Sequence, residues 1–143
     1  MTTLTETFKF KRGLEIKNRI VMAPMTTKMS FFDGVITTDE LNYYGLRTGE
    51  VGAAANVQAN GKGWEGELGV YDDKFIPGLS KLAATIKQND TKAILQIFHG
   101  GRMTDSKVLR GEQVVSASAI AAEREGAEVP KELTEIEILE IIE

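Results

Sequence analysis

Ala93-Ile94-Leu95-Gln96-Ile97-Phe98-His99-Gly100-Gly101-Arg102 is the stretch that decides how the rest of the chain is read. Its first six residues make an apolar run broken by a single amide, which predicts a parallel strand over 93–98 buried on both faces. An amide left unpaired in such a strand costs about 1–3 kcal/mol, so Gln96 predicts a hydrogen-bonding partner. A histidine, two glycines and an arginine follow at the strand's C-terminal end, and a segment of that composition is built to face a ligand.

Working outward, Ile20-Val21-Met22-Ala23 is a second apolar run stopped by Pro24, which cannot donate to a central ladder, so this strand is expected to end at about Ala23. Val51 to Val57 is a third, small and apolar. Thr37-Thr38-Asp39-Glu40 has the capping-box spacing of a helix start, with Leu41, Tyr44 and Leu46 as part of an apolar face. Asp72, Asp73 and Pro77 open a second helix in which Ile76, Leu79, Leu82, Ala83 and Ile86 recur at helical spacing. Upstream, Phe8 and Phe10 alternate with lysines, and Leu14 and Ile16 continue the alternation beyond Gly13, predicting a β-hairpin over 8–17. Downstream, an irregular stretch from Gly100 to Pro130 leads to a further capping box, Thr134-Glu135-Ile136-Glu137, and a helix carrying Ile138, Leu139, Ile141 and Ile142.

This alternation is the rhythm of a parallel α/β protein with right-handed crossovers. A (β/α)8 TIM barrel takes about 250 residues, and the 143 residues here hold about three strand–helix units over 19–143. The expected fold class is therefore α/β, the N-terminal part of a TIM barrel with an N-terminal β-hairpin, and residues 1–143 are expected to form one incomplete barrel domain. A small doubly wound sheet competes, but Ala23-Pro24-Met25-Thr26 is neither a dinucleotide-binding glycine motif nor a P-loop.

Composition narrows the partners. Seventeen Lys and Arg against 21 Asp and Glu give a net charge of −4, and the basic residues are scattered, so neither nucleic acid nor an anionic membrane surface is an expected partner. There is no cysteine, which excludes a disulfide, a thiolate metal site and a cysteine-ligated iron–sulfur cluster, and no metal is expected. The N-terminus lacks the basic start and apolar core of a signal peptide, and no apolar run reaches the roughly 20 residues of a membrane span, so a cytoplasmic location is expected.

Lys17-Asn18-Arg19-Ile20-Val21-Met22-Ala23-Pro24-Met25-Thr26, Asp33-Gly34 with Thr38 and Tyr43-Tyr44, and Leu95 to Arg102 together resemble the opening of the Old Yellow Enzyme family. Its members are FMN-dependent, NAD(P)H-using ene-reductases on a (β/α)8 barrel. The similarity extends through Ser116-Ala117-Ser118-Ala119-Ile120 and Pro130 to Leu133.

The resemblance implies FMN as cofactor, NADH or NADPH as electron donor and a small-molecule acceptor. It puts Ala23, Pro24 and Met25 along the flavin through backbone groups. Thr26 would be near the flavin C4 carbonyl, where a donor tunes the ring; without the resemblance, Thr26 and Thr27 merely satisfy a turn. Gln96 would read the polar pyrimidine edge, the alternative being a core glutamine bonded to backbone. Alignment from the Asn60-Gly61 side gives Ala54 the flavin-contacting alanine position. His99, the chain's only histidine, and Arg102 are weaker candidates for the substrate side: a lone histidine at a strand end is more often structural, and Arg102 serves equally as partner to a carboxylate under the long loop. Tyr43 and Tyr44 read as aromatics packed between helix and barrel, Trp64 as a cover for either the substrate mouth or the rim, and Glu123-Arg124-Glu125 as a solvated loop.

Two departures stand beside these matches. The strand around Gly52 to Ala55 is about four residues shorter than in the family, where an interruption is expected. The family's substrate-binding histidine pair, tyrosine proton donor and phosphate-holding arginines lie further along than Glu143. The leading expectation is an oxidoreductase passing hydride from a nicotinamide through FMN to an electron-poor alkene or similar acceptor. A non-catalytic barrel fragment that forms a homo-oligomer through its open sheet edge is the alternative, and a non-flavin lyase or isomerase a third.

Overall fold

The computed structural model describes residues 3–47 and 50–142, and the elements follow one another in the expected order. The hairpin comes first: β1 (Phe8–Lys9) pairs antiparallel with β2 (Glu15–Ile16), Phe8 opposite Ile16. Its turn closes through the Phe10 amide, which donates to the Leu14 carbonyl at 2.7 Å. Of the alternating apolar residues, Ile16 is buried while Phe10 and Leu14 remain exposed.

Four parallel strands make the main sheet: β3 (Val21–Met25), β4 (Glu50–Asn56), β5 (Leu68–Gly69) and β6 (Ala93–Phe98). β4 pairs with β3, with β6 along Val51 to Asn56, and with β5 at its last two residues. Among the described residues the sheet is open and does not close into a barrel.

Three expectations are corrected. β3 runs through Pro24 to Met25 instead of ending at Ala23, because a register irregularity between Met22 and Met25 absorbs the donor that proline lacks. β4 is continuous across Gly52 to Ala55, which pair in unbroken register with Ile94 to Ile97, so the expected interruption is absent there; Thr48 and Gly49 lie outside the described residues. Residues 93–98 do form a strand, but not one buried on both faces. Ile94, Leu95 and Gln96 are exposed and Ile97 is 71% exposed, because among the described residues β4 is the one strand paired with β6. Gln96 is therefore not a core amide in this chain.

The first helix, α1 (Thr38–Gly45), starts where the Glu40 amide donates to the Thr37 side chain at 3.2 Å. The second, α2 (Ile76–Lys87), follows one 3-10 turn capped by Asp72, which accepts from the Lys74 amide at 2.8 Å, and Pro77 falls in its first turn as its missing N–H favours. Both helices pack against one face of the sheet, where Tyr44, Leu82 and Ile86 meet Ala53, Ala55 and Leu68 in the buried core. The alanines of β4 let the helices approach closely. Leu46 was expected on the apolar face but is 84% exposed, because the helix ends at Gly45.

Beyond the sheet, β7 (Val115–Ser116) and β8 (Lys131–Glu132) form a parallel pair. The last helix, α3 (Glu135–Ile142), has a complete capping box: the Glu137 amide donates to the Thr134 hydroxyl at 3.3 Å, and Glu137 Oε2 accepts from the Thr134 amide at 2.9 Å. Glu123 and Glu125 are exposed as expected, but Arg124 donates to the Thr104 carbonyl at 3.1 Å and ties the long loop down.

Candidate functional site

The parallel order brings the C-terminal ends of β3, β4 and β6 side by side, and the register settles which residues share a face. Ala53 and Ala55 belong to the core under the helices, and Ala93 and Leu95 line a cavity against α2. Alternation then puts Ala54 and its register partner Gln96 on the opposite face as neighbours. Met25 is level with Ala53, and through it with Leu95, so the end of β3 stands one position short of the Ala54–Gln96 pair. The Met25 carbonyl is already engaged, accepting from the Tyr44 hydroxyl at 3.3 Å. Among the described residues no hydrogen bond holds the Gln96 amide, which leaves both its donor and its acceptor available to a ligand on that face.

Immediately after β3, Thr26 and Thr27 are each held by a buried glutamate. The Thr26 hydroxyl donates to Glu67 Oε1 at 3.1 Å, and Glu67 Oε2 accepts from the Gly63 amide at 2.7 Å. The Thr27 hydroxyl donates to Glu40 Oε1 at 2.7 Å, and Glu40 Oε2 accepts from the Ser30 hydroxyl. Glu67 is fully buried, and burial raises its carboxyl above the usual range, opposed by the Gly63 amide, the Thr26 hydroxyl and the nearby Lys62 charge. Lys62, 3% exposed, is lowered by burial against the raising influence of Asp33 and Glu67; its ammonium donates to the Phe32 carbonyl and lies 4.3 Å from the Phe32 ring.

The loop carrying these groups requires glycine at two points. At Gly66 φ is +71°, and a Cβ would stand 2.5 Å from the Lys28 carbonyl oxygen. At Gly63 a Cβ would meet the Phe98 ring at 2.8 Å, so the loop packs directly on the end of β6. Trp64 stacks on Phe98 with centroids 5.5 Å apart, and so covers the rim at the end of that strand.

His99 and Arg102 are not brought to this pair. His99 Nδ1 accepts from the Gly101 amide at 3.0 Å, which places the ring proton on Nε2, 3.4 Å from Gln58 Oε1. Burial lowers its pKa, so the ring is neutral and serves as a clasp between two loops. Arg102 is exposed, and its guanidinium reaches the Ala121 carbonyl at 3.4 Å.

Glu67, Glu40 and Asn56 are absent from the sequence-based candidates. Glu40 was read as a helix-capping residue, and the acidic Glu65 and Glu67 were indistinguishable from a solvated loop. The signal available for Asn56 was a polar residue closing an apolar strand. Asn56 is fully buried, its Nδ2 donates to the Gln58 carbonyl at 2.8 Å, and its Oδ1 has no partner among the described residues. Such an orphaned acceptor marks an unmet polar demand at this rim. An amide with both functions free and a small alanine beside it form a polar, uncrowded set that fits the polar edge of a flat heteroaromatic ring.

The sequence profile of the NADH:flavin oxidoreductase / NADH oxidase family matches residues 3–143. The chain is 46% identical over its whole length to an NADH:acrylate oxidoreductase of Vibrio harveyi, of which it covers 15%. It is 41% identical over 97% of its length to a probable NADH-dependent flavin oxidoreductase of Bacillus subtilis, of which it covers 38%. Among solved structures, it superposes over 99% of its length on the old yellow enzyme homologue of Zymomonas mobilis, with a TM-score of 0.85, 26% identity and 42% of that chain covered. Morphinone reductase in complex with tetrahydroNAD gives a TM-score of 0.86 at 25% identity, with 99% of this chain and 44% of that one covered. The chain thus spans well under half the length of these relatives, and from Thr3 to Glu143 it belongs to the NADH:flavin oxidoreductase / NADH oxidase family.

Proposed function

We propose that this chain forms one wall of an FMN site in an NAD(P)H-dependent oxidoreductase that reduces an electron-poor alkene or similar small acceptor. The observation that carries the reading is the Ala54–Gln96 pair on adjacent strands, one position beyond the level of Met25 at the end of β3, where Thr26 follows, in a chain of this family. Ala23, Pro24 and Met25 would line the flavin through their backbones, Ala54 would leave room for its plane, and Gln96 would hold its pyrimidine edge. When bound, FMN supplies a centre that accepts hydride from a nicotinamide and donates it to an acceptor. The relative named an NADH:acrylate oxidoreductase favours NADH as donor and a conjugated carboxylate as acceptor class. His99 clasps two loops, with both ring nitrogens in use by the protein.

FMN titration tests this reading. Wild-type protein is expected to bind FMN and quench its fluorescence, and Gln96→Leu to weaken binding by roughly 1 kcal/mol or more, since the ring edge would lose its partner. Unchanged affinity would remove Gln96 from the site. A second reading has its own observation: Ile94, Leu95 and Ile97 lie exposed on β6, a surface suited to pairing with another copy. Colourless protein that migrates as a dimer would favour it.

A further inference from the structure

We propose that Glu67 is a positioning residue that sets the direction of the Thr26 hydroxyl, and with it how well Thr26 donates to the flavin; this rests on Thr26 standing beside FMN, as argued above. A threonine hydroxyl has one proton. In this structure that proton goes to Glu67 Oε1 at 3.1 Å, so Thr26 presents only lone pairs elsewhere. The carboxylate is itself oriented, because its other oxygen accepts from the Gly63 amide at 2.7 Å, and it is sealed from solvent. Lys62 is the charged group facing it, and favours the ionised form against burial. An ionised carboxylate accepts and never donates, so while Glu67 is charged, Thr26 contributes no proton to the flavin.

Glu67→Gln reverses this arrangement without changing shape. The Gly63 amide can only donate, so the new amide oxygen must face it and the NH2 group must face Thr26 Oγ1. The threonine proton is then released to point away from position 67. A donor beside a flavin carbonyl stabilises the reduced ring, so the midpoint potential should rise.

The test is a reductive titration of the FMN-loaded full-length protein at alkaline pH, comparing wild type, Glu67→Gln, Thr26→Val and the double variant. Glu67→Gln is expected to favour reduced flavin by about tenfold, equivalent to about 30 mV for a two-electron couple. In the Thr26→Val background most of that shift should vanish, which a purely structural role for Glu67 would not produce. A shift of equal size in both backgrounds overturns the proposal, because the lost charge then acts directly and not through Thr26. No shift from Glu67→Gln, with Thr26→Val still lowering the potential, also overturns it and leaves the flavin placement standing. If Thr26→Val moves the potential in neither the wild-type nor the Glu67→Gln background, the placement of Thr26 beside FMN falls, and the role of Glu67 with it.

Discussion

The helix side of the sheet and the loop rim at its C-terminal end are both buried, but they are held by different forces. On the helix side, Tyr44, Leu82 and Ile86 pack on Ala53, Ala55 and Leu68, and area removed from water stabilises whatever fills the space well. At the rim, Glu40, Glu67, Lys62 and Asn56 are buried, and directional hydrogen bonds from Thr26, Thr27, Ser30 and Gly63 fix the two carboxylates. The first region tolerates repacking and decides whether the chain folds. The second tolerates little change of chemistry, because each deleted partner strands a buried polar group, and it decides what the fold can hold.

The contrast is broken hardest on the helix side. Leu82→Ala is expected to destabilise the protein by about 2–5 kcal/mol through lost burial and a residual cavity, read as a fall in the denaturation midpoint with an unchanged slope. At the rim, Gly66→Ala forces a Cβ onto the Lys28 carbonyl in a left-handed conformation and should cost about 1–3 kcal/mol. Its effect should be concentrated in the loop, so amide exchange at Ser30, which donates to the Gly66 carbonyl at 3.0 Å, should accelerate more than exchange in β4. Equal acceleration in both would show that rim and core unfold as one unit.

Thr37→Ala tests the boundary between the two regions, since Thr37 caps α1 and also donates to the Met29 carbonyl at 2.6 Å. Loss of about 1 kcal/mol is expected, measured by thermal unfolding. The smallest effect belongs to α3. Lys131 and the Thr134 amide and hydroxyl hold the Glu137 carboxyl down at about 2. A depressed carboxylate contributes above its unfolded value and loses that contribution as the pH falls toward 2, so the start of α3 should fray on acidification over that range while the sheet persists. Side-chain carboxyl shifts followed by NMR would check this, and a midpoint near the ordinary glutamate value would dissolve the capping box.

Periodicity and caps were legible because they are local. Thr37, Asp72 and Thr134 cap where their spacing indicates, and the strand over 93–98 has its expected bounds. Pro24 misled because its effect depends on whether a register irregularity is available to absorb it, which a partner strand decides. Gln96 misled in one respect: an apolar run implies burial only when something covers both faces.

What the sequence determined by itself is therefore the order and type of the elements, and the motif set that marks the family, since both are written in neighbouring side chains. Tertiary structure alone decided that Ala54 and Gln96 are paired one position beyond the level of Met25, and that Glu67 and Glu40 leave a surface-like loop and a helix cap to take the Thr26 and Thr27 hydroxyls. Those partners are 41 and 13 residues apart along the chain. A carboxylate's role depends on which donors the fold brings within hydrogen-bond reach and whether water is excluded, and neither is encoded in its own neighbourhood.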